Sequence, residues 1–487
     1  MKFKSIPEVT HSTFKQRKHL LILFISIASY IFYFTIVTFL KHDNFYTGRF
    51  DLGNMDQTVW NTIHGRIFQI TDSNGTEITS RLAFHADFIL ILLSPLYLIW
   101  ESPKMLIFIQ TLVLSFGAVF VYLISKEVLK NKNISLVFAL YFLINPAVNF
   151  TNLYDFHPVT LATTFLLGAF YFLIKRKHFW MTIFLLLAGI SKEQVWIIVF
   201  LFGLYIIFKQ KKIAFGILIS SISIFIFYLL IWEIMPSIRE TQHFALKFYS
   251  DYGDSPTSII KNVLFSPHEV ISVMLKKNQL KFINHLFFPL GYLSFLAPLY
   301  LVLAFPDLLI DLLSNNPNLH QIYYQYTATI TPFVFVSAIF GAKQLNKWIP
   351  KLTLNKIAIS TLAFSLISAY VYGPLLFAKY PDNEIILRPQ NNKEIIKKYI
   401  DSIPQDVTLS TTNNLGAHLS HRQKIFTIPL ATRSADLVLF LIKYDPGKDP
   451  ISRDSIHEGV KNNPDYKLIY SLDEFYVYER RIKSTTI

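Results

Sequence analysis

Residues 20–40 read LLILFISIASYIFYFTIVTFL, a run of 21 residues without a charged side chain. A helix of about 20 apolar residues crosses the hydrocarbon core of a bilayer, so we predict a membrane span here. The run is longer than the apolar core of a typical signal peptide, and we expect it to be retained. Ten long apolar runs fill the first three-quarters of the chain. The sequence therefore predicts an α-helical protein that crosses the membrane many times.

Composition supports the membrane class. Of the 487 residues, 52% are hydrophobic and 16% are charged, whereas soluble domains carry about 25% charged residues. Cysteine is absent, which excludes disulfides and thiolate metal ligands. The net charge of +14 comes from cations in short gaps between apolar runs, so we attribute it to membrane topology and expect no nucleic-acid partner.

The number of spans depends on the run at 280–313. This run is too long for one crossing and contains Pro298 and Pro306, so we predict two short helices, 280–297 and 299–313. Proline breaks are tolerated where neighbouring helices shield the freed backbone. The eleven predicted spans are 20–40, 104–125, 134–151, 158–174, 179–190, 194–208, 213–235, 280–297, 299–313, 327–342 and 355–375.

Lysine and arginine mark one side of this topology. They gather before the first run and in the gaps 126–132, 175–178, 209–212 and 343–351. With eleven spans all five groups fall on one side, which the positive-inside rule assigns to the cytoplasm. We therefore predict a plasma-membrane protein with a cytoplasmic amino terminus.

The same topology divides the chain into two predicted domains. Residues 1–379 form the membrane domain, with a long outer loop at 41–103, and residues 380–487 form a soluble domain on the outer side. Five short β-like runs and an amphipathic helix at 393–403 make the second domain a small α/β unit. His418, His421 and Arg422 in it are ordinary surface residues or contacts to an acceptor or to the membrane domain.

Acidic and imidazole side chains collect on the predicted outer side. The candidates are Asp51, Asp56, His85, Asp87, Asp155, His157, Lys192, Glu193 and His320. Helical spacing from Leu52 to Ile63 predicts a helix in the membrane interface with Trp60 at headgroup depth. Ile89 to Trp100 predicts a second interfacial or re-entrant helix. Ionisable residues at such depth tend to serve function.

Simpler structural roles are open for several of these residues. Asp51 fits a helix cap, and His157 precedes Pro158, which fits a turn before a helix. Lys192 and Glu193 fit a solvated pair that contributes little. The tyrosines at 323–326 fit a headgroup belt.

Five segments in this order resemble the bacterial membrane family DUF2079. They are FDLGNMDQTVWNTIHG (50–65), RLAFHADFILILLSPLYLIW (81–100), YDFHP (154–158), SKEQ (191–194) and HQIYYQYTATITPF (320–333). The resemblance covers nearly the whole chain. Gln194 departs from the family's usual Asp, and His320 precedes the tyrosines instead of adjoining them. The family in turn resembles the GT-C glycosyltransferases, which use sugars on polyprenyl phosphate.

The resemblance implies a function and roles for these residues. We expect transfer of a sugar from a lipid-linked donor to a cell-envelope glycan, lipid or protein. Asp51 would be the general base, its pKa raised by partial burial. Lys192 would stabilise the negative charge of the departing phosphate, with Arg49 and Arg81 as alternatives.

The remaining candidates would bind substrate. This set is Asp56, Gln57, His85, Asp155, His157, Glu193 and His320. His85, Asp155 and His157 would position the phosphate or sugar, or hold Mg²⁺ or Mn²⁺ with Glu193, although the sequence requires no metal. Membrane lipids are the other expected partners.

Two other functions fit the sequence. A transporter or flippase for a lipid or polar solute would place ionisable residues in helix centres along a pathway. A non-catalytic assembly protein would use its outer domain to bind a partner. The collection of ionisable residues on one side favours the transferase.

Overall fold

The structure is a computed structural model. It describes residues 11–73, 75, 77–239, 244–382, 388–442 and 450–481, so the first ten residues of the basic amino-terminal segment lie outside it. The helices of the part before residue 380 are α1 (His11–Asp43), α2 (Asn54–Ile63), α3 (Ile89–Leu93), α4 (Pro103–Leu129), α5 (Lys132–Ile144), α6 (Pro146–Leu153), α7 (Pro158–Ile174), α8 (His178–Gly189), α9 (Val195–Tyr205), α10 (Ile213–Tyr228), α11 (Met235–Arg239), α12 (Pro256–Phe265), α13 (Pro267–Met274), α14 (Lys277–Phe287), α15 (Phe305–Leu313), α16 (Thr331–Trp348) and α17 (Leu354–Val371).

Long apolar helices form the membrane part. Within the described residues four continuous helices, 18–43, 103–129, 213–239 and 354–371, are long and apolar enough to span a bilayer, and the pair α5–α6, bent by 43°, makes a fifth. Shorter apolar helices occupy further predicted spans, namely Pro158–Ile174, His178–Gly189 and Val195–Gln210. Large apolar side chains such as Phe24, Phe225 and Ile359 are 58–68% exposed, as expected for lipid-facing positions. The polytopic helical class is confirmed, while eleven spans stays a prediction.

The region 280–313 differs from the predicted pair of helices. Between α14 and α15 the chain forms three short 3₁₀ segments, Phe288–Leu290, Leu293–Leu296 and Pro298–Ala304. Pro289 and Pro298 lack an N–H, and Gly291 and Tyr292 adopt left-handed φ values of 57° and 56°. These features prevent a continuous helix.

Hydroxyl groups and neighbouring helices satisfy the broken backbone of this region. The Ser365 hydroxyl of α17 donates to the carbonyl of Pro289 at 2.7 Å. The Ser337 hydroxyl of α16 lies 2.7 Å from the carbonyl of Ser294. Irregular backbone at membrane depth is tolerated when protein surrounds it in this way.

The loop 41–103 is folded, and both of its predicted helices are present. A π-helical turn, Arg49–Gly53, leads into α2, and α3 continues into a 3₁₀ turn, Ser94–Leu98. A two-stranded antiparallel hairpin, β1 (Gln69–Thr71) and β2 (Ile78–Ser80), lies between the two helices.

The surroundings of α2 differ from expectation. All of its residues from Asn54 to Asn61 are buried, and the Trp60 indole N–H donates to the Glu101 carboxylate at 2.8 Å. The side of the helix that carries Asp56 and Gln57 is covered because the carboxyl-terminal domain packs on it. Leu98 and Ile99, at 78% and 80% exposure, give the second helix the exposed apolar surface expected of an interfacial segment.

The carboxyl-terminal domain is an α/β unit, as predicted. Its strands are β3 (Leu409–Thr411), β4 (Ile425–Thr427), β5 (Leu437–Leu441), β6 (Tyr466–Leu472) and β7 (Phe475–Arg480), and its helices are α18 (Lys393–Asp401), α19 (Asn413–Gly416) and α20 (Pro450–Lys461). The strand order is β4-β3-β5-β7-β6. β3 is parallel to β4 and β5, and β7 is antiparallel to β5 and β6. Each strand falls within one of the five predicted β-like runs.

Both faces of this sheet are covered. Ile396 and Ile400 of α18 pack on one face, together with Phe45 of the loop 41–103. Val460 of α20 packs on the other face. Because a loop residue completes the domain core, the two parts of the chain share a hydrophobic cluster.

The segment 413–425 of the domain docks on the turn that carries Asp51. The Phe50 N–H donates to the Asn413 side-chain oxygen at 3.1 Å. Backbones approach closely at two glycines: a Cβ on Gly416 would lie 2.5 Å from Arg49 Cβ, and one on Gly53 would lie 3.1 Å from Ala417 Cα. Glycine at these positions allows the domain to sit directly on the turn.

We expect Gly416→Ala to destabilise this docking. The added methyl overlaps buried Arg49, and overpacking of this kind typically costs about 1–3 kcal/mol. Thermal unfolding of the purified chain should therefore shift to lower temperature. Gly459→Ala in α20 is the matched control, because nothing lies within 4 Å of its added methyl. Equal unfolding temperatures for the two variants would contradict the docking.

The fold also predicts labelling on opposite sides of the membrane. Lys175 pairs with Glu127 at 3.2 Å, so two of the cation-rich gaps meet at one end, whereas the carboxyl-terminal domain packs on the loop at the other. The chain has no cysteine. We expect Ser402→Cys to react with a membrane-impermeant maleimide in spheroplasts and Asn133→Cys to react only after permeabilisation. The reverse pattern would invert the topology.

Candidate functional site

Asp51 lies on the π-helical turn before α2 and is held from two sides. Its carboxylate is 3.1 Å from His157 Nε2 and accepts from the Tyr154 hydroxyl at 3.2 Å. Both partners belong to the YDFHP segment, which ends at Pro158, the first residue of α7. The loop 41–103 and the start of α7 therefore meet at this carboxylate.

The hydrogen bonds of His157 fix the orientation of its ring. Nδ1 lies 2.8 Å from the Asp155 carbonyl and must donate, because a carbonyl only accepts. Nε2 therefore points at the Asp51 carboxylate, 3.1 Å away.

The pKa of Asp51 moves opposite to the expected direction. Burial acts to raise it, but the hydrogen bond and charge of His157, helped by the Tyr154 hydroxyl and Lys41, outweigh burial and lower the pKa of Asp51. The sequence revealed partial burial but not the His157 partner, which is 106 residues away. The carboxylate is consequently ionised, and hence able to accept a proton, at neutral pH.

A second buried pair joins His85 and Glu193. The Glu193 carboxylate is 2.9 Å from His85 Nδ1 and accepts the Ala86 N–H at 3.0 Å. Burial opposes its charge, but His85 and Lys192 dominate and lower the pKa of Glu193. The expected solvated Lys192–Glu193 pair is therefore absent in the described chain, and Glu193 instead anchors the loop at 85–86.

Lys192 faces a cavity of about 350 Å³ together with Asp51. His85, His157, Arg81 and Lys247 also line this first cavity. No hydrogen bond or ion pair engages the Lys192 ammonium within the described ranges. It is the cation best placed to meet an anionic ligand.

The other predicted cations have protein partners. The Arg81 guanidinium forms a buried ion pair with Asp87 at 2.8 Å while still lining the first cavity. Arg49 is 2% exposed and donates to the Gln57 side-chain oxygen at 3.0 Å, so it belongs to the docking of the carboxyl-terminal domain. Lys247 was not among the predicted site residues, because the polar composition of the segment 236–279 indicated only a loop.

A second cavity of about 350 Å³ adjoins the first. The two share the residues His85, Val159, Lys192, Gln325 and Tyr326. The remaining wall is largely apolar and includes Phe227, Ile231, Trp232, Leu246, Phe248 and Ile259. A polar cavity thus opens beside an apolar one, with Lys192 in the wall that both share.

Asp56 and Gln57 do not line these cavities. The Asp56 carboxylate, fully buried, accepts from the hydroxyls of Tyr97 and Ser420 and lies 3.1 Å from His421. The Gln57 amide donates to the Arg422 carbonyl at 2.8 Å. The expected substrate contacts are therefore replaced by contacts to the carboxyl-terminal domain.

Asp155 and His320 also lie elsewhere. The Asp155 carboxylate accepts the Gly48 N–H at 2.7 Å and pairs with Lys41 at 3.0 Å, which holds the loop just before Asp51. His320 is 8% exposed and belongs to neither cavity wall in the described chain. His320 therefore lies apart from the cavities that contain Asp51 and Lys192.

The divalent site suggested for His85, Asp155, His157 and Glu193 does not form from these residues. They are divided between separate pairs, and among the described residues no three His, Asp or Glu side chains gather as metal ligands.

Comparisons with known proteins agree with this architecture. A family model described as "Predicted membrane protein (DUF2079)" matches residues 41–454. No curated protein matches the sequence.

Solved structures provide the fold comparison. ArnT from Cupriavidus metallidurans superposes with a TM-score of 0.52 when bound to undecaprenyl phosphate and 0.53 in the apo state, at 9% and 8% identity. These matches cover 93% and 95% of this chain and 97% and 98% of ArnT. An oligosaccharyltransferase from Archaeoglobus fulgidus matches with a TM-score of 0.43 and 14% identity over 93% of this chain and 73% of its own. The protein therefore belongs to the DUF2079 family of membrane proteins and has the fold of GT-C glycosyltransferases.

Proposed function

We propose that the protein transfers a sugar from a polyprenyl-phosphate donor to an acceptor hydroxyl on the outer side of the membrane. The observation that carries the proposal is the junction of the two cavities at Lys192, with Asp51 across the polar one. A lipid-linked sugar has an apolar tail, an anionic phosphate and a polar ring, in this order. The cavities offer apolar, cationic and polar surroundings in the same order.

The shared wall suits the phosphate. Lys192 supplies an uncommitted ammonium there, and the neighbouring His85 is fixed by Glu193. A charge-assisted contact to the phosphate grows stronger as the bond to the sugar breaks, because negative charge collects on the departing oxygen. The solved ArnT structure with undecaprenyl phosphate supports a lipid phosphate as the ligand.

Asp51 would act on the acceptor. As the acceptor oxygen forms its bond to the anomeric carbon, the carbon–oxygen bond to the phosphate breaks and the polyprenyl phosphate leaves with the bonding electrons. The acceptor hydroxyl proton passes to the Asp51 carboxylate. Attack from the side opposite the phosphate inverts the anomeric centre. His157 and Tyr154 keep the carboxylate oriented and ionised before transfer.

A transporter fits these observations less well. The polar side chains around the first cavity come from loops and helix starts at one end of the bundle, including Asp51, His157 and Lys192. A translocation pathway needs such groups along the helix interior toward both sides. One-sided chemistry at a lipid headgroup explains their position better.

We expect Asp51→Asn to abolish transfer in cells. Asparagine keeps the shape of the side chain but cannot accept the proton, and loss of a general base lowers rates by roughly 10²–10⁴-fold. The lipid-linked donor should accumulate and the surface sugar should disappear at normal protein level, measured by mass spectrometry of lipid and surface glycan pools. Asp254→Asn, at an exposed carboxylate away from the cavities, is the control. Unchanged pools in Asp51→Asn cells would contradict a catalytic role.

Lys192→Gln should weaken binding of the lipid phosphate itself. Removing one charge-assisted contact worth about 1.5–3 kcal/mol lowers affinity by roughly 10–100-fold. Binding of undecaprenyl phosphate to the purified protein in detergent can be followed by ligand-dependent thermal unfolding. Lys261→Gln, at an exposed lysine outside the cavities, controls for charge. Equal affinities for the two variants would remove Lys192 from the phosphate site.

A further inference from the structure

Two carboxylates of α15 line the apolar cavity and take no part in the proposed transfer. Asp307 and Asp311 lie four residues apart, which puts them on one face of the helix. Both belong to the wall of the second cavity, and their residues are 2% and 3% exposed. The surrounding sequence, PDLLIDLL, is otherwise apolar.

One oxygen of each carboxylate has no protein partner within the described residues. One oxygen of Asp307 accepts the Thr329 hydroxyl, but its Oδ1 is buried without a hydrogen bond, as is Oδ2 of Asp311. No ion pair within the described residues involves either carboxylate. A buried carboxylate without a partner is strongly disfavoured, because it loses its hydration and gains nothing in return.

A third unpartnered oxygen lies in the same wall. Gln325 is 8% exposed, and its side-chain oxygen is buried with no hydrogen bond. Gln325 lines the second cavity together with the two aspartates and also reaches the first. It comes from a different part of the chain, so its orphaned oxygen is a second, separate indication of a missing partner in this wall.

We propose that Asp307, Asp311 and Gln325 bind a divalent cation of the Mg²⁺ or Mn²⁺ class. Carboxylate and amide oxygens are the ligands that these hard ions prefer. Mg²⁺ is commonly held by one or two carboxylates, with water or phosphate oxygens in its other positions. Two acidic ligands and an amide are therefore sufficient, and a cluster of three acidic or imidazole groups is not required.

The cation would also make the cavity compatible with a lipid phosphate, a point that depends on the proposed function. Two ionised carboxylates in the same cavity as Lys192 oppose the binding of an anion there. A divalent ion reverses the local charge and can bridge the carboxylates to a phosphate oxygen. Metal binding in the absence of lipid does not depend on this step.

The test is a titration of the full-length purified protein with Mn²⁺, followed by the loss of the free-ion signal in electron paramagnetic resonance. We expect one Mn²⁺ per chain, with at least tenfold weaker binding in Asp307→Asn and in Asp311→Asn. Gln325→Met should weaken binding while leaving both carboxylates in place. Asp254→Asn is the control for loss of a surface carboxylate, and thermal unfolding verifies that each variant is folded.

A second titration contains undecaprenyl phosphate. Tighter Mn²⁺ binding in its presence supports the bridge to phosphate. Unchanged Mn²⁺ affinity with lipid removes the bridge but supports the metal site, and loss of lipid binding overturns the proposed function alone. Absence of a stoichiometric Mn²⁺ site, or an affinity unaffected in Asp307→Asn and Asp311→Asn, would overturn the inference, since the carboxylates would then be protonated and not ligands.

Discussion

The burial of a polar helix fixes the position of Asp51. α2 carries Asn54, Asp56, Gln57, Thr58 and Asn61, and all of them are buried. Buried polar groups are generally hydrogen-bonded. Asn54, Thr58 and Asn61 find partners within the same loop, whereas Asp56 and Gln57 also use the carboxyl-terminal domain. The carboxyl-terminal domain contributes a hydroxyl and an imidazole to Asp56 and a backbone carbonyl to Gln57. The carboxyl-terminal domain thus helps to hold the candidate site in place.

This arrangement explains the segment FDLGNMDQ (50–57) in physical terms. Asp51 turns to the cavity, and Gly53 lets the backbone at Ala417 approach. Asp56 also raises the pKa of His421: burial opposes the charged ring, but the buried carboxylate and Glu101 outweigh it. This short segment therefore contains both the carboxylate of Asp51 and the contacts of Gly53 and Asp56 that fix its position. A substitution at these contacts is expected to displace Asp51.

Much of the site could be predicted from the way basic and acidic residues alternate between the gaps that separate the apolar runs. Asp51, His85, His157 and Lys192, chosen because they fall on one side of the predicted topology, line one cavity. The strands of the second domain were also recognisable, because their alternation and β-branched content are local signals. Local patterns carry no information on long-range partners, so the contacts of Asp56 and Gln57 with residues about 365 positions away could not be predicted.

Other features of the cavities have signals in the sequence that were not recognised, or depend on contacts that the sequence does not show. Two aspartates one turn apart in PDLLIDLL are unusual in an apolar run, yet the run was interpreted only for its length and prolines. The 3₁₀ segments between α14 and α15 depend on hydroxyls of α16 and α17, which periodicity does not reveal. The segment 236–279 was interpreted as a polar loop, but α12 together with Ala245, Leu246, Phe248 and Tyr249 forms a wall of the apolar cavity.

The proposed function requires the two cavities to form a single site for a lipid-linked sugar phosphate. A cryo-electron microscopy structure of the protein in nanodiscs with undecaprenyl phosphate would show whether they do. We expect phosphate density beside Lys192 in the shared wall and tail density between α10 and α12, with Asp51 facing the phosphate across the polar cavity. A lipid bound elsewhere, with protein side chains closing the passage between the cavities, would contradict it.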